Sequence, residues 1–96
     1  MFSDDNPEVI TIEGNEPARF ILQNYHHTEY INIHVWDIFR GVIYRMRPMV
    51  PFRSMMQEWR ERTGNTWAQF SYQGSRVNEF DTPDSVRVLP LMLYTS

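Results

Sequence analysis

Three histidines, twelve acids and nine cations are the residues of this chain that could do chemistry. His26-His27 and His34 have no carboxylate or cysteine at metal-ligand spacing, so they read as surface histidines. Asp81 and Asp84 flank Thr82-Pro83 as turn formers, not as a catalytic acid pair. Every cation is an arginine, and cysteine is absent too. That excludes a thiolate nucleophile, a Cys-rich zinc site, a disulfide framework, a Schiff-base amine and a phosphate-loop lysine. No Gly-rich phosphate loop or nucleophile–base pair is visible. The expectation is a non-enzyme without cofactor or metal. Trp36, Trp59 and Trp67 are expected as core or half-buried anchors, not as a base-stacking platform.

What remains is recognition chemistry. Residues 1–29 carry six acids against Arg19, a net −5, whereas residues 30–96 carry six acids against eight arginines, a net +2. An acidic arm thus precedes a mildly basic body. The charge of the body is too small to point to nucleic acid. Within the arm, Val9-Ile10-Thr11-Ile12 is a β-branched run with strand propensity, flanked by Asp4, Asp5, Glu8 and Glu13. Phe20-Ile21-Leu22 could pair with it across Gly14-Asn15-Glu16-Pro17.

The elements that must position these residues follow from periodicity. Ninety-six residues with 42% hydrophobic content fit one small domain. The reading divides them into an arm, 1–27, and a folded body, 28–96. Ile31, Ile33 and Val35 alternate on one face of a strand, and Asp37 to Gly41 supplies a turn. Val42, Tyr44 and Met46 then face inward while Ile43, Arg45 and Arg47 face outward, which reads as a hairpin. Phe52, Met55, Met56 and Trp59 share one helical face. The predicted helix runs from about 51 to 63, with Pro51 at its first position, Gly64 just past its end, and Glu58 and Arg62 one turn apart. Ala68, Phe70 and Tyr72 alternate inward, Gln73-Gly74-Ser75 turns the chain, and Arg76-Val77 is a very short strand. Asp81 to Asp84 forms a turn or one helical turn, and the last strand starts at or after Pro90. The predicted class is α+β, a mixed sheet packed on one main helix, with the first and last strands of the body parallel at its centre as in a β-grasp. No run of ~18 apolar residues predicts a membrane span. Met1-Phe2-Ser3-Asp4-Asp5 lacks a secretory pattern, so an intracellular soluble protein is expected.

The body resembles the small ubiquitin-related modifiers (SUMO), ubiquitin-like β-grasp proteins. Glu29 to Val35 resembles the family's first strand, and Tyr44-Arg45-Met46-Arg47 its second. Trp59 to Gly64 resembles the end of its helix, and Gln73 to Asn78 followed by Asp81-Thr82-Pro83 the stretch after its third strand. The likeness covers about residues 28–94. The departures are equally specific. Conjugation in that family needs a terminal Gly-Gly, and this chain ends Leu93-Tyr94-Thr95-Ser96, so it is expected not to be conjugated as written. Val86-Arg87-Val88-Leu89 replaces the family's acidic segment, and Gln73 replaces an acid used to dock the conjugating enzyme.

The resemblance implies a function. SUMO proteins bind short acid-flanked aliphatic strands, which add to the edge of the second strand by β-augmentation. Here Ile43, Tyr44, Arg45, Met46 and Arg47 would form that edge, and Phe52, Met55 and Arg62 the groove wall, with Arg45, Arg47 and Arg62 meeting the ligand's acids. The implied partners are proteins carrying SUMO-interacting motifs and SUMO-pathway enzymes, in the nucleus or cytoplasm, without nucleic acid or membrane. The arm segment Val9-Ile10-Thr11-Ile12 itself resembles such a motif. A linker from 13 to 29 spans ~23 Å as a flexible chain. The arm can therefore reach its own body at an effective concentration of order millimolar, or exchange between two chains. The alternative reading is a covalently attached modifier whose native C-terminus is missing or altered in this sequence.

Overall fold

The computed structural model describes residues 8–14, 29–86 and 91–96. Strand β1 (Glu8–Thr11) is followed by the hairpin β2 (Ile31–Trp36) and β3 (Gly41–Met46). Helix α1 (Arg53–Thr63), strands β4 (Phe70–Tyr72) and β5 (Ser75–Val77), the single helical turn α2 (Pro83–Val86) and strand β6 (Leu91–Thr95) complete the order. The strands form one mixed sheet in the order β1-β3-β2-β6-β4-β5. The central pair β2 and β6 is parallel, with Val35 opposite Leu93, and β4 and β5 continue antiparallel from β6. This is the α+β arrangement of a β-grasp, extended by one strand at the β3 edge.

Alternation makes the two sheet faces unlike. Ile33, Val35, Val42, Tyr44, Met46, Phe70, Tyr72 and Leu93 point into one buried cluster with Met55, Met56 and Trp59 of α1. The opposite face carries Asn32, His34, Trp36, Ile43 and Arg45 at half-buried or exposed positions. There Trp36 meets Tyr94 edge to face, with ring centroids 4.7 Å apart. Asp37 ties the β2–β3 turn by accepting the Phe39 and Arg40 amides at 2.7 and 2.9 Å.

Helix α1 begins two residues later than its periodicity predicts. Phe52, not Pro51, stands at the start: its amide donates to the Asp81 carbonyl and its carbonyl accepts the Met56 amide, both at 2.8 Å. The turn before α2 therefore sets where the helix opens, and Pro51 falls outside it. At the other end Gly64 is left-handed (φ 75°) and donates its amide to the Arg60 carbonyl, which a residue with a Cβ would do under strain. Asp81 and Asp84 serve the turns: the Asp81 carboxylate accepts the Asn78 amide at 2.9 Å, and the Asp84 amide donates to Pro48.

One expectation about the tryptophans fails. Trp59 is fully buried, but Trp67 is 86% exposed and Trp36 is 42% exposed. Asn65 caps the loop by accepting the Trp67 amide at 3.1 Å, and Arg60 holds the Ala68 carbonyl at 3.0 Å, so Ala68 points inward and Trp67 outward. The suggested partner of Val9–Ile12, Phe20-Ile21-Leu22, lies outside the described residues, as do His26-His27. No helix among the described residues is long and apolar enough to cross a membrane.

Candidate functional site

The site is the edge of β3 together with the strand seated on it. That strand is β1, from the same chain, and it runs parallel to β3 with Glu8 opposite Val42, Val9 opposite Ile43, Ile10 opposite Tyr44 and Thr11 opposite Arg45. The Ile12 amide extends the pairing by donating to the Arg45 carbonyl at 2.8 Å. A parallel ladder turns successive side chains to opposite faces. Glu8, Ile10 and Ile12 consequently face α1, and Val9, Thr11 and Glu13 face the other way.

On the helix side, Ile12 is buried in the common core and Ile10 packs against that core. Phe52 and Met55 are fully buried in the same cluster, so they act as the floor beneath the seam and not as an open groove wall. Beside them runs a polar chain. The Tyr44 hydroxyl donates to Glu58, Arg62 forks onto Glu58 with its shortest contact at 2.8 Å, and a further guanidinium nitrogen of Arg62 reaches Glu8 at 2.7 Å. Burial, reinforced by Glu58, pushes the Tyr44 phenol well above its ordinary value. Burial alone would raise the Glu58 carboxyl, but the bonds from Arg62 and Tyr44 outweigh it and hold the group below the usual carboxylate range. The bonds to Glu58 also raise Arg62, so it stays a cation throughout.

On the opposite face, the Tyr30 hydroxyl donates to both Glu13 oxygens, at 2.9 and 3.1 Å. The Arg45 and Arg47 guanidiniums lie 4.8 and 5.1 Å from the Tyr30 ring centre, a distance at which a cation is attracted to the ring face. Arg45 also reaches the Thr11 hydroxyl, but only at 3.5 Å. Arg47 Nε is buried and meets no acceptor. Neither arginine forms an ion pair with a carboxylate among the described residues.

The arm ends its docking on a close approach. A Cβ on Gly14 would come within 2.6 Å of Val50 Cγ1, and Val50 is buried in the turn after β3. Only glycine lets the backbone pass there without displacing Val50.

The edge residues expected from the sequence, Ile43 to Arg47, are thus together with Arg62 and the segment Val9–Ile12 along one seam. Arg62 meets acids on the helix side; Arg45 and Arg47 engage Tyr30 instead of a carboxylate. Three participants went unnoticed in the sequence: Tyr30, Gly14 with Val50, and the reach of Tyr44 to Glu58. The i,i+4 spacing of Glu58 and Arg62 was the one available signal, since it fixes one helix face but not what that face meets. His34 sits half-buried on the outer face, opposite Ile43 and Met92. No cluster of three or more metal-capable side chains occurs among the described residues. No protein-family model matches this chain, and no curated protein matches it either.

Proposed function

We propose that this chain is a SUMO-like protein-interaction module. It binds short, acid-flanked aliphatic strands of other proteins by adding them non-covalently to the β3 edge, within assemblies of the nucleus or cytosol. One observation carries the reading: an acid-flanked aliphatic segment of the chain itself already lies on that edge, main chain to main chain, with Ile12 in the core and Glu8 on Arg62. Main-chain pairing would supply affinity and the inward aliphatics selectivity. The arm then competes with any incoming strand.

The test is an NMR titration of the full chain and of its Ile10→Asp/Ile12→Asp variant with an acidic aliphatic peptide. Peptide-induced shifts at residues 42–47 and at Arg62, stronger in the variant, support the reading. A well-dispersed variant spectrum that stays unchanged at saturating peptide rejects it.

A further inference from the structure

We infer that the β3 edge reads a defined ligand pattern in one polarity. The ligand is a segment of another protein running parallel to β3, with an acid, an inward aliphatic two residues on, a second inward aliphatic two further, an acid next and then glycine. It also carries an acid between the two inward aliphatics, where the arm places Thr11. This inference rests on the interaction reading above and names its partner class.

Polarity follows from the spacing of the acids. Glu8 and Glu13 are five residues apart, an odd number, so they lie on opposite faces of the strand. Their readers are divided in the same way: Arg62 stands on the helix side at the start of β1, and Tyr30 on the outer side beyond its end. Reversing the strand while keeping Ile10 and Ile12 inward would bring Glu8 to the Tyr30 end but on the helix side. Glu13 would come to the Arg62 end but on the outer side. Both acids would lose their readers at once. The glycine follows from Val50, which leaves no room for a Cβ at position 14.

The central acid follows from what the arm leaves unmet. Thr11 lies directly opposite Arg45, yet its hydroxyl is only at the limit of hydrogen-bonding distance. A carboxylate at the Thr11 position would meet the Arg45 guanidinium, which the arm fills only in part. That difference matters because the arm is tethered. A foreign strand making only the arm's own contacts competes against an effective concentration of order millimolar. One that adds an acid opposite Arg45 gains an advantage the arm does not have.

The experiment has a cis and a trans part, both on the full chain. In cis, Thr11→Glu is compared with Thr11→Gln by hydrogen exchange at the amides of β1 and β3. Glutamate should favour docking roughly two- to five-fold, as expected of an opposite-charge cross-strand pair, and the gain should shrink in salt. In trans, the Ile10→Asp/Ile12→Asp chain is titrated with three peptides: arm residues 5–16 carrying Thr11→Glu, the same peptide with Glu8→Gln/Glu13→Gln, and the same peptide with Gly14→Ala; a spin label at the N-terminus of the first reads its direction on β3. The first peptide should bind about ten-fold tighter than the glutamine peptide, the loss expected from two acid contacts, and tighter than the alanine peptide, and its label should broaden the Val42 end of β3 and not the Met46 end. Equal binding of all three, with no difference between the cis variants, overturns the pattern while leaving the interaction reading standing. If no peptide binds a well-dispersed chain, the interaction reading falls and the pattern with it. The cis comparison needs no displaced arm, so it decides the role of the central acid even if the double variant fails to fold.

Discussion

The two faces of the β1–β3 seam use the same backbone for different physics. On the helix side, Ile12 is 7% exposed and joins the core, and a chain of hydrogen bonds runs from Tyr44 through Glu58 and Arg62 to Glu8. On the outer side, Val9 is 52% exposed, Thr11 is exposed, and Tyr30 holds Glu13 beneath two arginines. Apolar burial acts wherever a side chain is removed from water and carries little information about direction. Polar contacts at a wet surface are individually weak, but they depend on position. Apolar burial on the inner face therefore holds the strand, and the polar contacts, Arg62 with Glu8 on the inner face and Tyr30 with Glu13 on the outer, fix how it lies.

The largest expected effect breaks the inner face. Ile12→Ala removes a buried aliphatic and should cost about 2–5 kcal/mol of arm docking, whereas Val9→Ala should stay within about 0.5 kcal/mol. Hydrogen exchange of the β3 amides at graded denaturant separates the two. Comparable costs would mean that the faces are not unlike after all.

Next comes the exit of the arm. Gly14→Ala should weaken docking by about 1–3 kcal/mol, because Val50 must move to admit the methyl. Val50→Ala should restore part of that loss in the double variant, and a double-variant cycle measures the coupling.

Acid then sharpens the role of the polar chain. Glu58 titrates below its ordinary value of 4.5 in the folded chain, so its contribution is fully present above that pH and fades as pH falls through the lowered folded value. Glu58→Gln should remove about 1 kcal/mol at neutral pH and flatten the acid limb of the stability curve. Thermal melts between pH 2 and 6 check both, and an unchanged acid limb would exclude Glu58 as its source.

The smallest effect belongs to the outer face. Tyr30→Phe deletes the hydroxyl that donates to Glu13 across an exposed contact and should cost about 0.5 kcal/mol of docking, while the ring stays under the arginines. Its main consequence should be lost preference for an acid at position 13, read by comparing the effect of Glu13→Gln with and without Tyr30→Phe.

Much of this was legible in the chain itself. The alternation of Val42, Tyr44 and Met46 against Ile43, Arg45 and Arg47 determined the two faces of β3, because a strand leaves each residue only two directions. The 3.6-residue spacing of Phe52, Met55, Met56 and Trp59 placed the helix and its buried side. The β-branched run Val9–Ile12 marked a strand, and its acids marked a ligand-like segment. Local pattern could not say which edge that segment meets, in which direction, or what lies across from it. The parallel register on β3, the clasp of Tyr30 on Glu13, the reach of Tyr44 to Glu58 and the contact of Gly14 with Val50 join residues 14 or more positions apart. Such contacts exist only once the sheet has closed, because their geometry belongs to the assembled layers and not to any stretch of chain.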